Sequence, residues 1–207
     1  TVGIVGESGS GKSTVARCIT RLIDPTTGEM MLGGTQLDTV HRDSLKLARK
    51  RIQIIFQDPY RSLDPRQRVG EAIIEGPLNF GVSRDVAMAR ARELMSFVRL
   101  SPDVLSRYPN EFSGGQRQRI SIARALALDP EVLICDEAVS ALDVSVQAQV
   151  LKLLEEIQAK LNLSILFITH DLRVAAQICD RVIVMQKGLV VEEGATRDVF
   201  LLHQHAY

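Results

Sequence analysis

The sequence has 207 residues, of which 45% are hydrophobic and 24% are charged, a composition that suits one soluble domain with a substantial core. The chain has 25 basic residues (Lys and Arg) and 25 acidic residues (Asp and Glu). No overall basic charge therefore indicates nucleic acid or an anionic membrane as the main partner. Three widely separated cysteines argue against a disulfide framework or a zinc site, and no apolar run reaches the length of a membrane span.

Short apolar runs bounded by turn residues predict the strands. Their continuous apolar character is typical of strands covered on both faces, and helical patterns lie between several of them, most clearly over 144–161. This alternation predicts an α/β fold with a mainly parallel sheet. A turn at Lys187 and Gly188 predicts that the last two runs form a late hairpin. The runs are residues 2–5, 52–56, 132–135, 165–168, 182–185 and 189–191.

A long stretch without strand signals begins at residue 62 and ends at residue 125. It contains helical patterns broken at prolines, which predicts an inserted helical subdomain over 62–125 within a core formed by 1–61 and 126–207. Because the sequence begins inside the first predicted strand, we expect a single domain that is truncated at its N-terminus.

A glycine-rich segment, GESGSGKS, follows the first strand and matches the pattern G-x-x-x-x-G-K-[ST]. Glycines allow backbone N–H groups to surround phosphates, and the following helix adds the positive end of its dipole. A glycine-rich turn with a chance lysine is the alternative, which the strand before it and the helix after it disfavour. We expect Lys12 to bind the β- and γ-phosphates and Ser13 to bind Mg²⁺. The predicted ATP-binding residues are Gly6, Ser8, Gly9, Ser10, Gly11, Lys12, Ser13 and Thr14.

Polar side chains follow three other predicted strands. Asp136 ends the strand of VLICDE and is a candidate Mg²⁺ ligand, and the adjacent Glu137 is a candidate base for the attacking water. His170 follows ILFIT at the sheet edge where ligands bind in open α/β folds, and Gln57 follows IQIIF as a further oxygen donor for the metal. Alternative structural roles are a salt bridge for Glu137 and a hydrogen bond for His170.

A second glycine pair occurs in FSGGQRQR, within the predicted helical insertion. The residues Ser113, Gly114, Gly115 and Gln116 read as a capped helix start, whose free N–H groups and dipole attract an anion. An ordinary helix cap with solvated arginines is the alternative. Because this segment lies outside the predicted core, we expect it to contact the ATP of a second molecule, in a head-to-tail dimer about a two-fold axis.

Six motifs together resemble those of the nucleotide-binding domain of ATP-binding cassette (ABC) proteins. They are GESGSGKST, Gln57 in FQDP, FSGGQRQR, VLICDE, SALD and His170 in ITHD. The motifs occur in the family's order and cover nearly the whole chain. The resemblance implies a P-loop (RecA-like) ATPase in which Ser113–Gln116 is the signature acting in trans and Asp143 communicates across the dimer. It also implies that Glu137 is the catalytic base and that His170 contacts the γ-phosphate.

A narrower resemblance links FQDPYRSLDPRQRVGEAI and DEAVSALDVSVQAQVL to the ATPase subunits of bacterial oligopeptide and dipeptide importers. The terminal HAY resembles the His-Pro-Tyr stretch of these subunits, with Ala206 in place of proline. Phe112 stands where the family's signature usually has leucine. The family's adenine-stacking aromatic residue normally precedes the first strand present here.

The resemblance implies a Mg²⁺-dependent ATPase subunit that powers the uptake of peptides or a related small solute. Its expected partners are a second ABC ATPase domain, identical or different, integral membrane permease subunits and, indirectly, an external solute-binding protein, but no nucleic acid. The expected location is the cytoplasmic face of the membrane. The alternative is a soluble ABC ATPase acting on the ribosome or nucleic acid, for which the sequence lacks the expected basic tract. A regulatory cassette without hydrolysis is disfavoured by the presence of Glu137 and His170.

Overall fold

Each of the six predicted apolar runs corresponds to a strand. A computed structural model of the protein describes residues 1–39 and 42–202, and the terminal HAY lies outside them. The strands are β1 (Val2–Val5), β2 (Met31–Leu32), β3 (Thr35–Gln36), β4 (Ile52–Ile55), β5 (Val132–Asp136), β6 (Ser164–Thr169), β7 (Arg181–Gln186) and β8 (Leu189–Ala195).

Helices connect most of the strands, and the helix predicted over 144–161 is confirmed with the same limits. Two short 3-10 helices, Pro102–Ser106 and Pro109–Glu111, lie in the stretch that was predicted to be helical. The α-helices are α1 (Lys12–Ile19), α2 (Arg42–Arg51), α3 (Val69–Asn79), α4 (Arg84–Phe97), α5 (Gly114–Leu126), α6 (Val144–Leu161), α7 (Leu172–Ile178) and α8 (Thr196–Leu202).

The main sheet has six strands in the order β4-β5-β6-β1-β7-β8. Strand β1 pairs in parallel with β6 and β7, and β5 pairs in parallel with β6, which confirms the mainly parallel sheet. Strands β7 and β8 are antiparallel, and the turn between them has positive φ angles at Lys187 and Gly188, so the predicted late hairpin is also confirmed. Strands β2 and β3 form a separate antiparallel pair.

The chain divides into two units. The first, here called the sheet unit, comprises Thr1–Ile54, Glu131–Glu137 and the described residues from Leu163 onward. One face of its sheet packs around Ile4, Ile134 and Ile168, which come from three neighbouring strands and are almost fully buried. Burying a side chain of this size stabilises a fold by about 1.5–3 kcal/mol. This core fixes the strand ends that carry the candidate site.

The second unit, here called the helical unit, comprises Ile55–Pro130 and Ala138–Asn162. Helices α3, α4 and α5 contact one another, and α6 contacts α5. The helices are joined by buried apolar side chains, among them Ile74, Leu94 and Ile120. The unit includes α6 as well as the stretch predicted as an inserted subdomain. The predicted limits of that subdomain, 62–125, stay a prediction.

No helix within residues 1–39 and 42–202 combines the length and the apolar character that crossing a bilayer requires. Some of the described elements were not anticipated by the sequence pattern. Among them are the hairpin of β2 and β3, whose turn is Gly33 and Gly34, the strongly basic helix α2, and the short helices α7 and α8.

Candidate functional site

The loop between β1 and α1 depends on glycine at several positions. Gly6, Gly9 and Gly11 have φ angles of 154°, 82° and 102°, which L side chains rarely adopt. At Gly6 an added Cβ would also lie 2.2 Å from the carbonyl oxygen of Met185, so no larger residue fits. Glycine at these positions therefore allows the backbone conformation of the loop.

Lys12 is held at the centre of this loop. Its side chain is almost fully buried, and its Nζ donates to the carbonyl oxygens of Gly6 (2.8 Å) and Glu7 (2.7 Å). The loop is supported from the late hairpin as well, because the N–H of Gly188 donates to the carbonyl oxygen of Ser10 (3.1 Å). These bonds place a cationic group inside a ring of backbone atoms.

The start of α1 is suited to an anion. Gly11 occupies the N-cap position, no side chain caps the first turn, and that turn contains no acidic residue. The N–H groups at such a helix start need an acceptor, and the helix dipole favours negative charge there. Together with Lys12, this donor set matches the chemistry of phosphate groups. The neighbouring residues Ser8 and Thr14 are exposed.

Ser13 and Asp136 are brought together by the fold. Ser13 Oγ donates to Asp136 Oδ1 at 2.8 Å, and Asp136 is only 5% exposed. Burial raises the pKa of Asp136, the nearby Glu137 carboxylate acts in the same direction, and the hydrogen bond from Ser13 opposes both. A buried carboxylate of this kind is stabilised by a nearby cation.

This pair of oxygen ligands suits Mg²⁺, which is usually bound by one or two carboxylates together with substrate phosphates. In the described part of the chain, no group of three or more His, Cys, Asp or Glu side chains is arranged to hold a metal ion without such help. Ser13 Oγ and Asp136 Oδ1 could serve as two ligands of a metal ion whose other ligands come from phosphate and water.

Glu137 and His170 form a second pair beside Asp136. Oε1 of Glu137 lies 3.3 Å from Nδ1 of His170, and the Glu137 N–H donates to the carbonyl oxygen of Ile168 (2.9 Å) on the neighbouring strand. Glu137 has a φ angle of 51°, which is unusual for a residue with a side chain. The carboxylate is half-buried and the imidazole is exposed.

Gln57, the third predicted metal ligand, lies in the helical unit. Its Nε2 donates to Ser140 Oγ at 3.3 Å, and its side chain is exposed. The role of Gln57 toward a metal therefore stays a prediction.

The glycine pair begins α5 as the sequence indicates. Ser113 Oγ accepts from the Gln116 N–H (3.3 Å), and Gln116 Oε1 accepts from the Ser113 N–H (3.0 Å), a reciprocal capping box. The serine hydroxyl hydrogen and the N–H groups of Gly114 and Gly115 take no part in this box. The cap therefore fixes the loop and leaves donors for an anion.

The start of α6 lies next to the start of α5. Asp143 caps α6 by accepting from the Val146 N–H (3.0 Å) and from Ser145 Oγ (2.7 Å), and these bonds lower the pKa of Asp143. An added Cβ at Gly114 would lie 3.8 Å from Leu142, and one at Gly115 would lie 2.3 Å from Val146. The signature and the SALD segment therefore share one surface.

This surface was only partly visible in the sequence. The close approach of Val146 to Gly115 was missed, because it depends on how two helices pack. Val144, next to Asp143, was also missed, although it is apolar and 84% exposed. The signal that could have identified it is its position, because an apolar residue at the first position of α6 lies outside the stripe of Val150, Leu153 and Ile157 that the helix buries.

Comparison with known proteins identifies the family of this fold and site. The model of the family described as ABC transporter matches residues 1–140. A putative peptide import ATP-binding protein of Brucella ovis is 49% identical over 207 residues, covering 100% of this chain and 65% of the relative. Glutathione import ATP-binding protein GsiA of Salmonella typhimurium is 51% identical over 208 residues, covering 100% of this chain and 33% of the relative.

Two solved structures are similar over almost the whole chain. One is cbiO1 from Clostridium perfringens, part of the ABC transporter complex cbiONQ, with a TM-score of 0.87, 30% identity and coverage of 96% of this chain and 78% of that one. The other is the dimeric ATP-binding cassette MJ0796 in a post-hydrolysis state bound to ADP and Pi, with a TM-score of 0.83, 32% identity and coverage of 95% and 85%.

The chain spans 65% or less of the length of the import proteins named above. The family match covers more than half of this chain and includes the loop of Lys12, the capped start of α5 and the carboxylates of Asp136 and Glu137 at the end of β5. The chain belongs to the ABC transporter family and has the P-loop ATPase fold of its ATP-binding cassettes.

Proposed function

We propose that the chain is the ATP-binding and ATP-hydrolysing part of an importer for peptides or a related small solute. The proposal is supported by the names of its relatives, which are import proteins for peptides and for glutathione, itself a peptide. The observation that carries the enzymatic part is the cluster of Lys12, Ser13, Asp136, Glu137 and His170. All five belong to the sheet unit: Lys12 and Ser13 begin α1 after the loop that follows β1, and the other three lie at the ends of β5 and β6.

Each member of this cluster has a separate task in the proposed reaction. Lys12 and the N–H groups at the start of α1 would bind the phosphates of ATP. Ser13 and Asp136 would hold Mg²⁺, which supplies charge stabilisation on the phosphate oxygens when it is bound. The sequence prediction of Gln57 as a further ligand is retained as part of the proposal.

Glu137 is the proposed base for the water that attacks the γ-phosphate. Its contact with His170 Nδ1 supports a joint role, because a carboxylate beside Nδ1 orients the ring and directs Nε2 outward. We assign to His170 the positioning of the water and the γ-phosphate. The unusual backbone of Glu137 is consistent with a residue placed for chemistry.

We further propose that a second copy completes the site. The partly exposed surface formed by residues 113–116 and 142–144 combines anion-binding donors with an apolar residue, as expected for a contact that includes a phosphate. In a head-to-tail dimer each copy would present Ser113 to the γ-phosphate bound by the other. Asp143 is the proposed link across this contact.

The proposed partners are a second ATP-binding cassette, identical or different, integral membrane permease subunits and, indirectly, a solute-binding protein outside the cell. Through the permease the chain would lie at the cytoplasmic face of the membrane. ATP binding would close the dimer, and loss of the γ-phosphate would open it. The names of the import relatives and the dimeric neighbour support this arrangement.

Mixing two inactive variants of the full-length protein tests the shared site. Lys12→Ala removes phosphate binding from one copy, and Ser113→Arg blocks the signature of the other, so each variant alone is expected to be inactive. A mixed dimer contains one site with both defects and one intact site. Equal mixing should therefore restore about a quarter of the wild-type ATPase sites, which steady-state phosphate release would measure.

A matched mixture of Lys12→Ala with a second phosphate-loop variant, Gly11→Val, is the control, because no intact site can form in it. If the Lys12→Ala and Ser113→Arg mixture stays as inactive as this control, the signature does not act in trans. If wild-type protein releases no phosphate at all, the proposed ATPase activity itself is wrong.

A further inference from the structure

Residues 58–63, here called the bridging segment, follow Gln57 and pack along one face of α5. The Arg117 guanidinium stacks on the Tyr60 ring, with 3.9 Å between its Cζ and the ring centroid. Ser62 Oγ lies 3.0 Å from Ser121 Oγ, and Arg124 donates to the Ser62 carbonyl oxygen. Positions 117, 121 and 124 are spaced by four and three residues, so they lie on the same side of the helix.

The stacked pair is the most distinctive of these contacts. Tyr60 is 61% exposed, which is unusual for a large aromatic side chain, yet its ring covers the guanidinium of Arg117. The Nε of Arg117 is buried and has no hydrogen-bond partner among the described residues. The face of the aromatic ring is therefore the contact that holds this cation in place.

The Arg124 contact is strengthened by its surroundings. Burial lowers the pKa of Arg124, and Glu75 opposes this effect. A partly desolvated guanidinium forms stronger hydrogen bonds than an exposed one. Its acceptor is the backbone oxygen of Ser62, so this bond fixes the path of the bridging segment whatever side chain occupies position 62.

The two ends of this arrangement are both functional in the proposed reaction. Gln57 precedes the bridging segment and is the predicted metal ligand, and α5 begins with the signature Ser113–Gln116. All contacts described here lie within the helical unit. A shift of the bridging segment along α5 would break the ring stack and the serine pair together, because both involve the same helix face.

We propose that Tyr60 and Ser62 are positioning residues that fix the signature helix to the segment after Gln57. These contacts hold the anion-binding start of α5 in one arrangement with this segment. The inference rests on the proposed function, because it concerns the signature that a second copy would use. It assigns this positioning to a stacked ring and a serine pair and not to the packing of the helical unit in general.

Tyr60→Leu in the full-length protein tests the ring stack. We expect kcat for ATP hydrolysis to fall roughly threefold to tenfold, the range that a lost cation–π contact implies. The affinity of the single chain for ATP should stay unchanged, because Lys12 and its loop lie in the other unit. Tyr60→Phe keeps the ring and should retain wild-type kcat. ATP-driven dimer formation, measured by sedimentation, should weaken in Tyr60→Leu alone.

Tyr108→Leu is the matched control. Tyr108 also stacks with an arginine of the helical unit, since Cζ of Arg68 lies 5.6 Å from its ring centroid, but this pair does not involve α5. We expect Tyr108→Leu to retain wild-type kcat. The double variant Tyr60→Leu/Arg117→Met should have a kcat no lower than that of the slower single variant, because the two substitutions remove the same contact.

Three results would contradict the inference. The first is wild-type kcat in Tyr60→Leu, and the second is an equal loss in Tyr60→Phe or Tyr108→Leu, which would indicate a general packing effect. The third is a double variant whose losses multiply. An inactive wild-type protein that also fails to dimerise with ATP would instead contradict the proposed function, and with it the role of Tyr60.

Discussion

Glu137 occupies a backbone conformation that its residue type disfavours. Its φ angle of 51° lies in the left-handed region, and its N–H is held by the carbonyl oxygen of Ile168. A residue with a Cβ in this region is less stable by about 1–2 kcal/mol than in a right-handed conformation. Such strain is maintained where the surrounding structure determines the position of a functional side chain.

This strain predicts an unusual order of stability at position 137. Glu137→Gly should be more stable than Glu137→Ala by about 1 kcal/mol, because glycine adopts positive φ without strain. In a regular helix or strand the order would be reversed. Chemical denaturation of both variants without nucleotide measures the difference, and a more stable alanine variant would show that position 137 carries no backbone strain.

Motif spacing pointed to individual residues more directly than to their contacts. The proximity of Ser13 and Asp136 could be expected from the sequence, because their motifs follow strands of one parallel sheet, in which only β6 separates β1 from β5. The contact between Glu137 and His170 was less evident, because the motifs do not specify side-chain orientation. The stacking of Tyr60 on Arg117 depends on how a loop packs on a helix, for which neither residue gives a local signal.

Helix α5 shows that its two first glycines have different physical roles. A Cβ at Gly114 would meet only Leu142 at an ordinary distance of 3.8 Å. A Cβ at Gly115 would lie 2.3 Å from Cγ1 of Val146, a β-branched residue of α6 with little freedom to rotate. Gly115 thus allows α5 and α6 to approach, whereas no close contact requires glycine at position 114.

Alanine substitution should separate these roles. Gly115→Ala should lower the free energy of unfolding by about 1–3 kcal/mol through overpacking, and Gly114→Ala should change it by less than about 0.5 kcal/mol. Adding Val146→Ala to Gly115→Ala should recover most of the loss. Equal destabilisation by both single substitutions, measured by urea unfolding, would contradict this assignment.

Elements with a strong apolar pattern were predicted from the sequence, and weakly patterned ones were not. Helix α6 repeats apolar residues at helical spacing and is capped by Asp143, so its limits were correct. Helix α2 consists mainly of basic residues, so its few apolar side chains form no pattern that identifies a helix. Strands β2 and β3 have two residues each, too few for an alternation to be recognised.

At the scale of the whole molecule, the predicted motifs are divided between the two units. Lys12, Asp136 and Glu137 belong to the sheet unit, whereas Gln57 and Ser113 belong to the helical unit. The sequence could assign these motifs to a family but could not give the packing of each unit.

Glu137→Gln should separate ATP binding from hydrolysis in the full-length protein. The amide keeps the size of the side chain but cannot accept a proton from water, so turnover should fall by about a hundredfold or more. ATP should then hold two copies together, and sedimentation with MgATP should detect a stable dimer. Lys12→Ala, which loses phosphate contacts, should remain monomeric under the same conditions.

A monomeric Glu137→Gln protein with bound ATP would contradict dimer closure by nucleotide. Turnover at the wild-type rate would contradict the role of Glu137 as the base, whatever the state of association.

The central position of β1 also determines the order in which the protein can fold during synthesis. Strand β1 leaves the ribosome before its two neighbours, β6 and β7, which come from the opposite end of the described chain. Pairing between such distant segments is slow, because a long loop must close before any hydrogen bond compensates for the lost entropy. The loop that follows β1 therefore lacks the support of both neighbouring strands until synthesis has passed β7, and in that interval we expect it to be more accessible to a protease than in the folded protein.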